Sequence, residues 1–220
     1  MHIKILKSFK DAEKICALAA RLCYSSDKID DINKDITGNI KNLLHKIISS
    51  EHYSVLEHVS FTFGVEGVSR SLLAQLTRHR IASFSVQSQR YVKFNNGVNF
   101  VVPDTIKKCE NLLKKYNSFL KSIEAFYMEL LDAGIPAEDA RYILPNAATT
   151  QVIITMNARE LRHFFSLRCC NRSQWEIRKM ACTMLNLVKK EAPLLFEDAG
   201  PDCLRERCRE VFNCGKPWKK

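Results

Sequence analysis

An α+β fold, one domain of mostly antiparallel strands and long helices, is predicted by three features of the 220-residue sequence. Short segments alternate apolar and polar residues, as half-buried strands do. Longer segments repeat apolar residues every three or four positions, as helices with one buried face do. No Gly/Ser-rich or Pro-rich linker separates these segments and no repeat period appears, so a single core is expected.

Ile3 and Ile5 alternate within His2 to Leu6, which predicts a strand, and Ser8 to Asp11 has the character of a helix opening, with the helix ending near Tyr24. The polar stretch Ser25 to Asp35 predicts a loop. Between Asn39 and Ser50, residues Ile40, Leu43, Leu44, Ile47 and Ile48 lie at helical spacing. Val59, Phe61 and Phe63 alternate with Ser60 and Thr62 as in a half-buried strand, which Gly64 and Gly67 are expected to end. Val68 to about Arg78 predicts a helix with a Leu72, Leu73 and Leu76 stripe and an unusually basic end.

A long helix is expected from Thr105 to Leu131, stopped at Gly134-Ile135-Pro136. Pro136 opens a short helix through Ala140, because its missing N–H costs nothing in a first turn. Thr150 to Met156 is β-branched and apolar on both faces, the pattern of a buried strand. Ala158 to about Arg168 is helical, and Ser173-Gln174-Trp175-Glu176 matches a capping box that starts a last helix running to about Glu191. The junction between these two helices is then Arg168 to Arg172. The expected organisation is a domain over residues 1–200 and a loosely held basic, cysteine-containing tail over 201–220.

Lys plus Arg number 34 against 24 Asp plus Glu, a net charge of +10, and 46% of residues are apolar. That balance excludes disorder and points to an anionic partner: nucleic acid, nucleotide or acidic cofactor. The opening residues are broken by charge every two or three positions and lack the apolar core of a signal peptide, and no stretch approaches a membrane span. A cytoplasmic protein without a membrane partner is expected. The nine cysteines are an odd number, read as free thiols of a reducing compartment. Cys203, Cys208 and Cys214 are spaced C-x4-C-x5-C, without the tight pairs of structural zinc, and no metal is predicted.

Neither G-x-G-x-x-G nor G-x-x-x-x-G-K-[ST] occurs, so a bound phosphate would be held by side-chain cations and ordinary amides. The densest polar run is Gln75 to Tyr91. Cations at a helix end stabilise its negative pole, and charge clusters are usually solvated surface. Here, however, Arg78, Arg80 and Arg90 offer planar forks for phosphate, while Gln75, Gln87 and Ser88 add neutral groups suited to a base or sugar. A nucleotide-sized anion fits both sets.

Arg78-His79-Arg80, seven intervening residues and then Ser88-Gln89-Arg90 has the form RHR-x7-S-x-R, and it resembles the signature of the flavin-dependent thymidylate synthases. His52 to His58 resembles that family's H-x-[ST]-x-x-E-H segment. Asn157-Ala158-Arg159, Leu167-Arg168 and Gln174-Trp175-Glu176 resemble its C-terminal N-A-R and L-R…Q-W-E segments. The matching pieces run from about residue 38 to about residue 196. Three positions depart from the pattern: Ser85-Val86 stands where several members carry Asn-Glu, His163 where a flavin-contacting Asn can occur, and Arg172 where a His can occur.

The resemblance implies conversion of dUMP to dTMP with methylenetetrahydrofolate as carbon donor, reduced FAD as hydride donor and NADPH as reductant of the flavin. It also implies a homotetramer with sites shared between subunits. By the same resemblance, Ser54, Arg78, His79, Arg80, Asn157 and Arg159, with His163, would hold FAD. Gln75, Arg78, Val86, Gln87, Ser88, Gln89, Arg90, Arg141 and Arg168 would meet dUMP.

Chemistry agrees with a catalytic role for Arg168. Carbon 5 of uracil is a poor nucleophile, and a cation beside the N3/O2 edge stabilises the anionic ring and pushes electron density toward that carbon. The competing assignment makes Ser88 a nucleophile with His79 as its base, but no third orienting group is identified in the sequence. A different class of function also stays open: Phe84, Tyr91 and Phe94 interleave with basic residues as on an RNA- or single-stranded-DNA-binding surface. The enzyme reading expects a bound flavin and no nucleic acid.

Overall fold

The computed structural model describes residues 1–36, 39–94, 97–205 and 208–218. In chain order the strands are β1 (His2–Lys7), β2 (Ser60–Ser69), β3 (Ser83–Val86) and β4 (Thr149–Asn157). The helices are α1 (Ala12–Leu22), α2 (Ile29–Asp35), α3 (Ile40–Ser49), α4 (Arg70–Leu76), α5 (Asp104–Lys107), α6 (Glu110–Asp132), α7 (Ala137–Ala140), α8 (Ala158–Arg168), α9 (Trp175–Glu191) and α10 (Pro193–Phe196), with a 3-10 helix over Tyr53–His58. The sheet order is β1-β2-β4-β3. Its antiparallel register shows in the pairs Ala158 N to Val59 O, Thr62 to Thr155 and Arg70 N to Ala148 O, whose residue numbers fall on one strand as they rise on the other. The α+β class with antiparallel strands and long helices is the one expected.

By contacts the chain forms two compact units, and β2 and β4 give residues to each. The first comprises Met1–His2, Val65–Arg78 and Phe84–Ile153. Its core is Val98, Tyr127, Ala140 and Ala148, with Phe94 and Phe100 packed against them. The second comprises Ile3–Gly64, His79–Ser83 and Ile154–Lys220. An edge-to-face chain of rings runs through it: Phe61 to Phe196 at 5.5 Å, Phe196 to Phe165 at 6.1 Å, Phe165 to Phe164 at 5.8 Å and Phe164 to His79 at 4.9 Å. An imidazole thus terminates the aromatic core of the second unit.

Several elements differ from expectation for identifiable reasons. Residues expected as loop form α2, because Ile32 and Ile36 are buried at helical spacing and Asp30 and Asp31 sit in the first turn, where the helix dipole favours acids. Strand β2 runs through both glycines rather than ending there. Gly67 takes φ +67°, and a Cβ on it would lie 3.2 Å from the Met1 nitrogen, so glycine permits this close approach. The long helix after Thr105 is broken at Cys109, whose backbone is extended, and the short α5 buries no residue that would keep it continuous with α6. Strand β4 buries Val152, Ile154 and Met156 but exposes Ile153, the one-sided pattern of an antiparallel sheet.

The capping box is replaced. Gln174 Oε1 accepts from the N–H groups of Glu176 and Ile177 at 2.9 and 3.1 Å, while Ser173 Oγ is buried without a hydrogen bond among the described residues. Two hydrogen bonds reach the tail: Asn171 donates to the Lys216 carbonyl at 2.7 Å and Arg172 to that of Phe212 at 2.9 Å. Residues 206, 207, 219 and 220 of the expected tail lie outside the described residues.

The buried Arg162 of α8 holds Asp198 through two bonds of 2.8 and 3.0 Å and also donates to the Leu195 carbonyl at 2.7 Å. Burial alone would raise the Asp198 carboxyl, but the Arg162 guanidinium outweighs it and leaves the group below its usual 3.8. A carboxyl depressed on folding contributes stability that is present above its unfolded value and is lost as pH falls through the folded one. The denaturant midpoint of the wild type is therefore expected to fall more steeply below about pH 4 than that of Asp198→Asn, which lacks this titration. Parallel profiles for the two proteins would contradict the assignment.

Candidate active site

In the second unit, α8 is the organising element. Asn157, the last residue of β4, caps it by accepting the Glu160 N–H at 2.8 Å, which sets Glu160 on the first turn. Glu160 is buried, and its Oε1 lies 3.1 Å from Nδ1 of the equally buried His79. From the last turn of the same helix, Arg168 Nε donates to His79 Nε2 at 3.0 Å. His163 places its ring 6.2 Å from that of His79. The predicted residues His163 and Arg168 of α8 are thus gathered around His79, and burial moves the Arg168 guanidinium below its usual 12.5.

Asn157, Arg159 and His163 line one cavity of about 490 Å³, together with Glu160, Arg162 and Tyr53. Arg159 pairs across it with Glu57 of the 3-10 helix. Ser54 and Arg80 are exposed and lie outside that lining. A guanidinium, an amide and an imidazole in this lining suit an anionic, hydrogen-bonding ligand such as a dinucleotide, beside the carboxylates of Glu51, Glu57, Glu160 and Asp202.

The remaining predicted residues belong to the first unit. Gln75 lies in α4, and Arg78, exposed just beyond that helix, donates its N–H to the Gln75 carbonyl at 3.4 Å. Val86 ends β3, and the Gln87 N–H bonds the Gln151 carbonyl at 2.9 Å. The chain then turns on Ser88, whose Oγ accepts the Arg90 N–H at 3.1 Å and whose carbonyl accepts that of Val92 at 3.1 Å. Gln89 is buried, with its Nε2 lacking a hydrogen bond among the described residues. Arg90 Nε donates to Glu138 at 2.6 Å and stacks on Tyr91, while Arg141 Nε donates to the Glu138 carbonyl at 3.0 Å. One residue of α7 therefore organises two of the predicted cations.

Two carboxylates escape the sequence reading, Glu138 and Glu160, and Glu57 enters it only as the acid of the H-x-[ST]-x-x-E-H segment, without a role. For Glu160 a signal existed, since Asn157 and Glu160 stand in the spacing of a helix cap and its third residue. Arg70 is also unpredicted. Burial and the charge of Arg141 both hold its guanidinium below the usual 12.5, which marks a crowded patch of cations that an anion would relieve.

His79 has both ring nitrogens engaged, by Glu160 and by Arg168. It is not poised as the general base of a serine nucleophile, whose proton would need one of those nitrogens as acceptor. What the arrangement supplies is a partly desolvated cation held in a fixed plane, suited to stabilising negative charge.

The family described as thymidylate synthase complementing protein has a model that matches residues 4–194. A flavin-dependent thymidylate synthase of Geobacter sulfurreducens is 52% identical, over 98% of this chain and 94% of that protein. One from Clostridium tetani is 45% identical, with the same coverages of 98% and 94%. Among solved structures, a UMP/dUMP methylase, PolB of Streptomyces cacaoi, bound with 5-Br dUMP, superposes with a TM-score of 0.78 at 26% identity, covering 89% of this chain and 93% of that one.

Proposed function

The chain belongs to the flavin-dependent thymidylate synthases, and from that membership we propose that it methylates dUMP to dTMP, with Arg168 as the residue that activates the uracil ring. The observation that carries the assignment of Arg168 is its donation to a histidine whose other nitrogen is already held. Methylenetetrahydrofolate is the carbon donor in this reading, and NADPH the reductant. Arg159, Asn157 and His163 on the cavity lining offer FAD charge and hydrogen bonds; the family membership adds Ser54, Arg78, His79 and Arg80 to the proposed cofactor set. Reduced flavin, when bound, supplies the hydride that turns a methylene into a methyl group.

The protein's own residues bind and polarise. Arg90, Arg141 and Ser88, with Gln75 and the segment Val86 to Gln89, hold the nucleotide. Arg168 stabilises the anionic form of the ring, so that carbon 5 becomes the nucleophile without a covalent bond to the enzyme. Among the described residues no helix is long and apolar enough to cross a membrane, in keeping with a cytoplasmic enzyme.

A homotetramer is part of the same proposal. Helix α6 leaves Leu112, Phe119 and Phe126 exposed at seven-residue spacing, with 56%, 68% and 44% of their surfaces open, a stripe that a second copy can cover. Light scattering of the active enzyme is expected to give the mass of four chains; a single-chain mass would contradict shared sites.

The function itself is tested by a visible spectrum of the purified protein, together with an assay for dTMP from dUMP, methylenetetrahydrofolate and NADPH. Flavin bands and dTMP are expected. A colourless protein with salt-dependent affinity for long polyanions would replace this reading with nucleic-acid binding.

A further inference from the structure

We propose that Glu160 is a positioning residue that fixes the tautomer of His79 and, through it, the plane of the Arg168 guanidinium. The inference rests on the preceding reading only for what Arg168 does. An arginine Nε–H can donate and never accept, so His79 Nε2, 3.0 Å away, must present a lone pair. A neutral imidazole carries one proton, which then sits on Nδ1 and is donated to Glu160 Oε1 at 3.1 Å. This assignment follows from donor and acceptor logic at both ends of the ring.

The rest of the surroundings hold the chain rigid. Glu160 has its own N–H bound to the Asn157 cap, which anchors the carboxylate on the first turn of α8. The edge of Phe164 packs on the imidazole at 4.9 Å. Arg168 is on the last turn of the same helix, so one rigid element carries both the group that sets the tautomer and the group that reads it. Among the described residues, the titratable or charged side chains in contact with the His79 ring are Glu160, Arg168 and His163. Without the carboxylate the Arg168 N–H alone favours Nδ1–H, and the Nε2–H form, which points an N–H at that donor and turns it away, becomes accessible.

Two measurements on the flavin-loaded protein test this. In proton–nitrogen spectra of histidine-labelled enzyme, with the His79 signals identified by their loss in His79→Gln, the wild type is expected to show neutral Nδ1–H. Glu160→Leu, which removes the acceptor, is expected to gain the Nε2–H form, whereas Glu160→Gln, whose amide oxygen can still accept the Nδ1–H, is expected to gain less of it. Wild-type Nε2–H, or a leucine variant with an unaltered tautomer, would overturn the inference. In dTMP formation at saturating dUMP, Glu160→Leu is expected to lower kcat roughly tenfold to a hundredfold, the effect of losing a hydrogen bond to a charged group. In an Arg168→Ala background the same substitution is expected to change the rate less than about twofold, because the two act as one unit. Equal losses in both backgrounds would make Glu160 merely structural. If Arg168→Ala leaves turnover intact, the role of Arg168 fails while the tautomer spectra still decide on Glu160. Glu160→Ala, which also removes the acceptor, decides the matter if the leucine variant does not fold.

Discussion

Arg168→Ala is expected to keep its flavin and lose dTMP formation by about a hundredfold or more, the usual consequence of removing a charged donor aimed at developing negative charge. The residue is partly desolvated, so its charge is screened less than that of a surface arginine. Its Nε is committed to His79, which fixes the orientation of the planar fork. Arg168→Lys keeps the charge but has neither the fork nor an Nε–H in that place, so only a partial rescue is expected. The check is turnover at saturating dUMP alongside the flavin content of each variant. Unaltered turnover in Arg168→Ala would remove the residue from the chemistry.

Arg78→Ala combined with Arg80→Ala is expected to give a folded protein without flavin. Both side chains are exposed, and surface substitutions away from packed features usually change stability by no more than about 0.5 kcal/mol, so the fold should survive. What is lost is two cations flanking His79 in the chain, at the start of a segment rich in groups that bind anionic oxygen. Gel filtration followed by an absorption spectrum reads the outcome directly. Stoichiometric FAD in the double variant would place these arginines outside the cofactor site.

Much of the scaffold of the site was legible in the sequence because it is built from periodic elements. Helix α8 appears with the bounds expected for it, since its apolar spacing, its Asn157 cap and its terminal Arg168 all point the same way. The long α6 ends as expected, with Gly134 at φ +85° just beyond it. Less legible were features decided by distant partners. Strand β3 is four residues long, with half its side chains exposed, and its Ser-Phe-Ser-Val alternation is too short to stand out within a polar run. Helix α2 depends on burying Ile32 and Ile36, which a polar local composition concealed.

At the site, residue types announced themselves and pairings did not. The arginines and His79 stood out as a pattern, whereas Glu138 and Glu160, 48 and 81 positions away from the residues they hold, are ordinary helical acids until the chain folds. Arg172, a departure from the family's pattern, bonds the Phe212 carbonyl of the tail and pairs with Glu210.

The central claim is that the uracil ring is activated by a cation and not by a covalent serine adduct. The most direct test is the rate of dTMP formation by Ser88→Ala in a single turnover, with dUMP saturating and the flavin already reduced. Ser88 Oγ accepts the Arg90 N–H and shapes the turn proposed to bind the nucleotide, so its loss is expected to weaken dUMP affinity while a measurable rate remains, well above that of Arg168→Ala. A Ser88→Ala enzyme without turnover, beside an Arg168→Ala enzyme that still forms dTMP, would contradict the account and assign the chemistry to the serine.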